Sequence, residues 1–297
     1  MSWFGPKRIG LALGSGAARG LAHIGVLKLL EAEGLRPDVI TGTSMGALVG
    51  AFYAAGIPVD EIEQIAREFD IRTVTGVGEV ALSRGAMFSG TKVQEFLRAY
   101  LPETFEELRM PFGCVATDIA HNVPVRFDSG DLVSAVRASV SVPLAFVPVR
   151  MGDMLLVDGY ICDPLPVGLA RHLGGQVIVG VDVSGAGTVG PLPPNGEIGT
   201  LKLKDLRSGV RTGTTERGTT GLDVLGAISE SFERRLVQQA LRLADVVVSP
   251  DVSQLTGIDY GHAAFAISEG ESAMGAAVQQ LRRKARRPAP VQPDRMP

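Results

Sequence analysis

The chain has 297 residues, 45% of them hydrophobic, a formal net charge of −3 and two cysteines. That length fits one large α/β domain or two small ones, and so small a net charge excludes the global positive field of a nucleic-acid binder. Cys114 and Cys162 lie far apart with no CxxC or His-rich neighbourhood, so they read as buried thiols in a reducing compartment rather than a disulfide or zinc framework.

Met1 to Arg8 is short, contains Pro6 and runs straight into a strand. No secretory leader is expected from it, and the chain reads as cytoplasmic. Lys7 to Leu13 forms the first predicted strand and ends at Gly14. Ala18 to Glu33 is predicted as a helix stopped by Gly34, the residue type that takes the left-handed position after a helix. Pro37 and Asp38 turn the chain into a short apolar strand, Val39 to Thr41. A second helix runs from Met45 to Ala55, with Gly56 and Pro58 behind it. Val39 to Val59 carries no charge and is about long enough to span a bilayer. Its Thr41, Thr43, Ser44, glycines and Pro58 divide it instead into strand, turn and helix. Two strand-to-helix units in succession predict a parallel sheet covered on both faces.

Pro111 to Ile119, Val123 to Phe127 and Met154 to Val157 are predicted strands, and Leu132 to Ser139 a helix. Gln176 to Val183 is nearly all apolar and is predicted to be central. Ser184 to Gly221, rich in Gly, Pro and Thr, reads as a long excursion, either a lid or a surface loop without a role. Leu222 to Ala244 is predicted as helix, Asp245 to Ser249 as strand and Ala264 to Arg287 as the last helix. Residues 1–287 read as one domain, with an expected disordered, Pro-rich tail from Pro288.

Gly42-Thr43-Ser44-Met45-Gly46 matches the G-x-S-x-G pattern, in a strand–turn–helix setting. A nucleophile projected from so tight a turn needs a strained backbone and small flanking residues. The following helix then aims its free N–H groups at the reaction centre. The competing reading is a glycine-rich turn in which Ser44 only caps the helix.

Gly14-Ser15-Gly16-Ala17-Ala18-Arg19-Gly20 follows the first strand and opens a helix. Small residues let such a loop curl until its N–H groups converge on an anion. If Ser44 attacks a carbonyl, that anion is the oxygen of the tetrahedral intermediate and the loop is an oxyanion hole. A dinucleotide fingerprint starting at Gly14 fails because its last position is Arg19, although Asp38 lies at the right distance for a ribose contact.

A serine nucleophile needs a base. His23 lies within the first helix, His121 sits in a hairpin-like turn and His172 ends a helix. His262, at a loop-to-helix boundary, is the candidate for a Ser, acid, His order. Asp158-Gly159 offers an alternative at the end of an apolar strand. A partly desolvated carboxylate there, with a raised pKa, could take the serine proton directly.

With these blocks together the chain resembles the patatin-like phospholipases, in particular the bacterial group similar to the catalytic domain of neuropathy target esterase. The resemblance is carried by Gly10 to Leu13 with the loop Gly14 to Gly20, by Thr41 to Gly46 with Ala47 to Ala51, by Ala116-Thr117-Asp118 with Ser129-Gly130-Asp131 and Ala135 to Ser139, and by Val157-Asp158-Gly159 with Pro164 and Pro166. It implies a three-layer α/β/α domain with a mainly parallel central sheet. It also implies a Ser–Asp dyad without histidine that hydrolyses lipid acyl esters. Residue by residue, Ser44 matches the nucleophile and Asp158 the base. Ser15, Gly16 and Ala17 match the oxyanion loop, Arg19 its basic position, and Gly14, Gly20, Gly42, Gly46 and Gly159 the supporting glycines. Ser15 and Ala17 interrupt the family's glycine run, and Tyr160 stands where a small residue is usual. Arg137 is expected either to pair with a carboxylate near the site or to lie on a helix surface.

The implied partner is a lipid or fatty-acyl ester, phospholipid or lysophospholipid, with no nucleic acid, no cofactor and no metal. Met87-Phe88 to Phe96-Leu97 and the long excursion could frame the entrance for an acyl chain. Arg282, Arg283, Lys284, Arg286 and Arg287 suit peripheral contact with an anionic membrane, and equally a solvated helix end. Acyl transfer to an alcohol stays open beside hydrolysis, as does a regulatory or scaffold protein on the same fold.

Overall fold

The computed structural model describes residues 5–68, 88–185 and 221–287. Met87, most of the excursion (186–220) and the expected tail (288–297) lie outside the described residues.

β1 (Ile9–Leu13), β2 (Val39–Thr43), β3 (Phe112–Asp118) and β7 (Val177–Val181) are buried along their whole length. Their uninterrupted apolar runs suit strands covered on both faces. They are joined by β8 (Val246–Val248), β6 (Met154–Asp158), β5 (Val149–Met151) and β4 (Val123–Phe127). Hydrogen-bonded neighbours follow the path β5-β6-β3-β2-β1-β7-β8, with β4 also paired to β3. β1, β2, β3, β7 and β8 are mutually parallel, whereas β4, β5 and β6 pair antiparallel. The sheet is thus mixed with mostly parallel strands, and β7, expected at the centre, is next to the β8 edge.

Alternation along β1 explains the layers. Ile9, Leu11 and Leu13 face one core, shared with α1 (Ala22–Ala32), α2 (Met45–Ala55), α3 (Val59–Glu68), α4 (Thr91–Tyr100), α5 (Leu132–Ser139) and α8 (Ala263–Ala285). Ala12 and Ile178 face the opposite side, where α6 (Val167–His172) and α7 (Gly221–Leu241) contribute Val167, Ala170 and Val237. Helices on both faces of one sheet give the three layers.

Among the described residues, the helices α3 and α4 and the strand β5 escaped the sequence. A signal for α3 existed, since Val59, Ile62 and Ala66 recur at helical spacing behind Pro58, with Asp60 and Glu61 in the first turn. The first predicted helix begins instead as a 3-10 turn, Ala17–Leu21, before α1. Gly34 and Gly56 take the left-handed positions expected of them, and the uncharged stretch from Val39 folds as β2, a turn and α2.

Candidate active site

Strand register decides which residues meet. β4 runs along one edge of β3 at residues 114–118. β2 (at residues 112–115 of β3) and β6 (at 116–118) both overlap that span, so they must share the other edge. β2 runs parallel to β3 and β6 antiparallel, so their C-terminal ends approach head to head. Thr43 pairs with Val115, and the next position, Ala116, pairs with Asp158. Ser44 leaves β2 at that junction. Two residues 114 positions apart in sequence are thereby brought together at the centre of one sheet.

Ser44 has φ 56° and ψ −121°, a backbone that side chains rarely adopt. Its N–H donates to Ser139 Oγ at 3.0 Å. The turn is held by backbone contact. A Cβ at Gly42 would sit 2.2 Å from the Gly46 carbonyl oxygen, and one at Gly46 would sit 2.3 Å from the Leu13 carbonyl oxygen. Helix α2 starts immediately behind, so its unpaired first amides lie beside the Ser44 hydroxyl.

Asp158 is fully buried. Oδ1 accepts from the Tyr160 N–H at 3.0 Å, and the Asp158 N–H donates to the Ser141 carbonyl at 2.9 Å. Oδ2 is buried with no well-aligned hydrogen-bond partner. Burial raises the carboxyl pKa to about 7, the Ser44 hydroxyl and the Tyr160 N–H pull it down, and the Glu233 charge adds to the rise. The Ser44 hydroxyl therefore acts on Asp158 without a formed hydrogen bond, a geometry that commonly tightens when substrate binds. The sequence had suggested partial desolvation at a sheet edge; the burial is complete. Gly159 is required there, because a Cβ would meet the Val115 carbonyl oxygen at 2.3 Å.

The glycine loop lies against both. Ser15 departs from the expected role: its N–H donates to the Pro164 carbonyl at 2.8 Å and so cannot face an oxyanion. Gly14 donates to Val181 (3.1 Å), Ala18 to Gly257 (3.2 Å) and Arg19 to Gly16 (3.1 Å). Gly16 and Ala17 keep N–H groups with no partner among the described residues, and Ala17 has a positive φ of 48°. Gly20 packs on Met45, where a Cβ would sit 2.5 Å from its Cγ.

None of the four histidines lines the cavities at Ser44. His172 and His262 are exposed, and His121 pairs with Asp118 at the hairpin. His23 has a role the sequence did not suggest. Fully buried and held neutral, with a pKa lowered to about 4 by burial, it places Nε2 2.7 Å from the Gly14 carbonyl oxygen. A neutral ring meeting a carbonyl must donate, so His23 anchors the start of the loop. Asp38 is likewise committed, accepting from the Ile9 N–H at 2.7 Å and from Arg287 at 2.6 Å, so it faces no ribose. Arg137 fits neither expectation. It is buried, stacks on Phe146 and donates to Ser141 Oγ and to the Ser89, Gly90 and Val147 carbonyls, with no carboxylate partner among the described residues. Arg282 and Arg287 are drawn into ion pairs with Glu33 and Asp38; the side chains of Arg283, Lys284 and Arg286 are exposed to solvent. Cys114 is buried and Cys162 only half-buried.

Ser44 separates two cavities of opposite character. One, about 570 Å³ with its open mouth, is walled by Ala17, Leu48, Val93, Phe96, Val142 and Phe146, with Tyr260 beside them. The other, about 580 Å³ with its mouth, is lined by Ser15, Arg19, Asp158, Tyr160, Glu230 and Glu233 among others. Helix α7 closes the polar side through three contacts. The Tyr160 hydroxyl meets Ser229 Oγ at 2.8 Å, Arg19 pairs with Glu230 at 3.2 Å, and Ser15 Oγ donates to Glu233 at 2.5 Å. Glu233 and Tyr260 carry no motif, and only the fold brings them here. Phe88 and Phe96, expected at an entrance, both lie near the site: Phe96 in the apolar wall and Phe88 against Phe146.

The chain is similar to known proteins. A model of the patatin-like phospholipase family matches residues 11–171. An uncharacterised NTE family protein of Mycobacterium tuberculosis is 36% identical over 191 residues, 63% of this chain and 53% of that one. Human patatin-like phospholipase domain-containing protein 6 is 35% identical over 183 residues, 59% of this chain and 13% of that one. The chain thus spans about half the length of the mycobacterial relative and a small part of the human one. Among solved structures, VipD from Legionella pneumophila superposes with a TM-score of 0.52 at 14% identity, covering 94% of this chain and 67% of that one.

Proposed function

The chain belongs to the patatin-like phospholipase family, and on that premise we propose that it hydrolyses acyl ester bonds of phospholipids or lysophospholipids through Ser44 and Asp158. Ser44 Oγ attacks the acyl carbonyl as its proton passes to Asp158 Oδ2. The negative oxygen of the tetrahedral intermediate is held by the Gly16 and Ala17 N–H groups, an interaction worth several kcal/mol when donors are preorganised. Collapse breaks the ester bond, and Asp158 returns the proton to the departing alcohol. Water then attacks the acyl-enzyme, giving its proton to Asp158, and the fatty acid leaves as Ser44 is reprotonated.

The observation that carries this reading is the meeting of the β2 and β6 ends, which leaves an unpartnered, pKa-raised carboxyl oxygen facing a strained serine. Such a base, half ionised near neutral pH, is suited to take a proton there. Fluorophosphonate labelling of the intact protein tests it. Adduct mass should map to Ser44, and Ser44→Ala should lower ester hydrolysis by about 10⁴-fold or more. Labelling elsewhere, or hydrolysis surviving in Ser44→Ala, defeats the reading.

A further inference from the structure

Ser44 and Asp158 belong to strands that are not hydrogen-bonded to each other. β2 pairs with β1 and β3, and β6 with β3 and β5, so register brings their ends together without tying one to the other. The end of α5 supplies a tie. Ser139 Oγ accepts the Ser44 N–H at 3.0 Å, and two residues further on the Ser141 carbonyl accepts the Asp158 N–H at 2.9 Å. Both serines are fully buried. Thr43 Oγ1 also donates to the Asp163 carbonyl at 2.8 Å, which links neighbours of the reacting pair. The 139–141 segment grips the pair itself.

That segment is held in turn by Arg137. Nη1 donates to Ser141 Oγ, and the Ser141 hydroxyl donates back to the Arg137 carbonyl at 2.7 Å. Nε reaches the Gly90 carbonyl at 3.3 Å, and Nη2 reaches those of Ser89 at 3.2 Å and Val147 at 3.3 Å. The guanidinium also lies over the Phe146 ring, 5.2 Å from its centroid. A buried cation facing carbonyls instead of a carboxylate is costly, and a lysine could not span these acceptors as a planar fork does. We propose that Arg137, Ser139 and Ser141 are positioning residues, one buried segment that sets the Ser44 hydroxyl at its working distance from the Asp158 carboxyl. The inference rests on the hydrolase reading above and adds to it what aligns the pair. Ser44 holds a strained backbone that persists only under restraint, and the bond from its own N–H is the restraint nearest the hydroxyl. A displacement of about 1 Å in either main chain costs an aligned transfer roughly 100-fold.

Removing one grip at a time tests the proposal. In Ser139→Ala, kcat for p-nitrophenyl butyrate should fall by about 10- to 100-fold with KM within about twofold of wild type. Ser139→Thr, which keeps the hydroxyl, should recover to within about fivefold. The Ser44 hydroxyl holds the Asp158 pKa down, so a Ser44 that turns away should also move the midpoint of kcat/KM against pH upward. The other titratable groups facing Asp158 are Glu233, Tyr160 and Tyr260, and the substitution leaves all three in place. A folded Ser139→Ala, verified by its thermal melt, with kcat within twofold of wild type overturns the proposal. So does a threonine variant as slow as the alanine one. Hydrogen exchange at the two main-chain amides reads the segment without catalysis. Ser139→Ala should speed exchange at Ser44, and Arg137→Met at Asp158, each by about tenfold. That contrast supports the segment even if the wild type turns over no ester, a result that would sink the hydrolase reading alone. Exchange unchanged at both amides, or raised equally there and along β1 and β7, sinks the segment whatever the kinetics show.

Discussion

The two sides of Ser44 are built differently. Beneath it, the strand ends, the glycine loop and the Asp158 turn are held by backbone pressed on backbone. Gly42 and Gly46 leave no space for a Cβ, and Gly159 abuts the Val115 carbonyl. Above it, α7 reaches the site through side chains alone: Ser229 to Tyr160, Glu230 to Arg19 and Glu233 to Ser15. A backbone-packed site has one arrangement, because any displacement meets main chain. A cover held at the site by three polar contacts among the described residues can adjust there while Val237 anchors its far end in the core, and its face toward solvent exposes Ile228 and Phe232. The contrast assigns chemistry to the floor and adjustment to the cover.

The largest effect should come from breaking the floor. Gly46→Ala sets a methyl group 2.3 Å from the Leu13 carbonyl oxygen and 2.7 Å from that of Gly14. Neither can withdraw without moving β1 or the glycine loop. Loss of measurable ester hydrolysis is expected, together with destabilisation of about 4 kcal/mol or more by urea unfolding. A folded, active Gly46→Ala would show that the floor is looser than its contacts indicate.

Asp158→Asn comes next and should separate activity from stability. Asparagine keeps the Oδ1 acceptor for the Tyr160 N–H but cannot take a proton. Turnover should fall by about 10²- to 10⁴-fold, the range of general-base catalysis. Stability should change with the opposite sign. The native carboxyl has a pKa of about 7 in place of 3.8, so between those values the folded protein holds a proton that the unfolded chain has released. Stability therefore falls as pH rises through this window, and the full penalty stands above about pH 7. The gain of Asp158→Asn should be near zero around pH 4 and reach a few kcal/mol at pH 8, read from melts at the two pH values. A variant less stable than wild type at pH 8 would contradict the burial argument.

These two positions were legible in the sequence for the reason that makes them fragile. G-x-S-x-G and Asp-Gly are local patterns forced by local backbone, and a strand register carries them to their meeting. Ser15 was misread as a donor because its N–H partner, the Pro164 carbonyl, lies 149 residues away. Glu233, Tyr260 and His23 have no local signature; a glutamate on a polar helix looks like any solvated glutamate until the fold turns it inward.

The pH profile of the wild type sharpens the comparison further. Asp158 must be ionised to act as base, so kcat/KM should rise with pH through a midpoint near 7 and level off above it. A flat profile between pH 5 and 8 would show either that a step other than proton transfer limits the rate or that the carboxyl titrates well below this range. A neutral soluble ester, such as p-nitrophenyl butyrate, keeps substrate ionisation out of the measurement.

The smallest effect should come from the cover and is the sharpest test of its separability. Glu233 raises the Asp158 pKa by like-charge repulsion, while its own carboxyl is pushed up by burial and held down by Ser15 and Arg19. Glu233→Gln removes the charge but keeps an amide oxygen to accept from Ser15 Oγ, so the contact with the loop survives. The midpoint of the pH profile should then move down by a few tenths of a pH unit, because one of the causes raising it is gone and burial, the largest, is not. The plateau rate should change by no more than about threefold, since nothing that touches the reacting carbonyl has moved. A plateau collapse comparable to Asp158→Asn would place Glu233 in the chemistry and end the division between floor and cover. A midpoint that did not move would mean that Glu233 is neutral when Asp158 titrates and adds nothing to its rise.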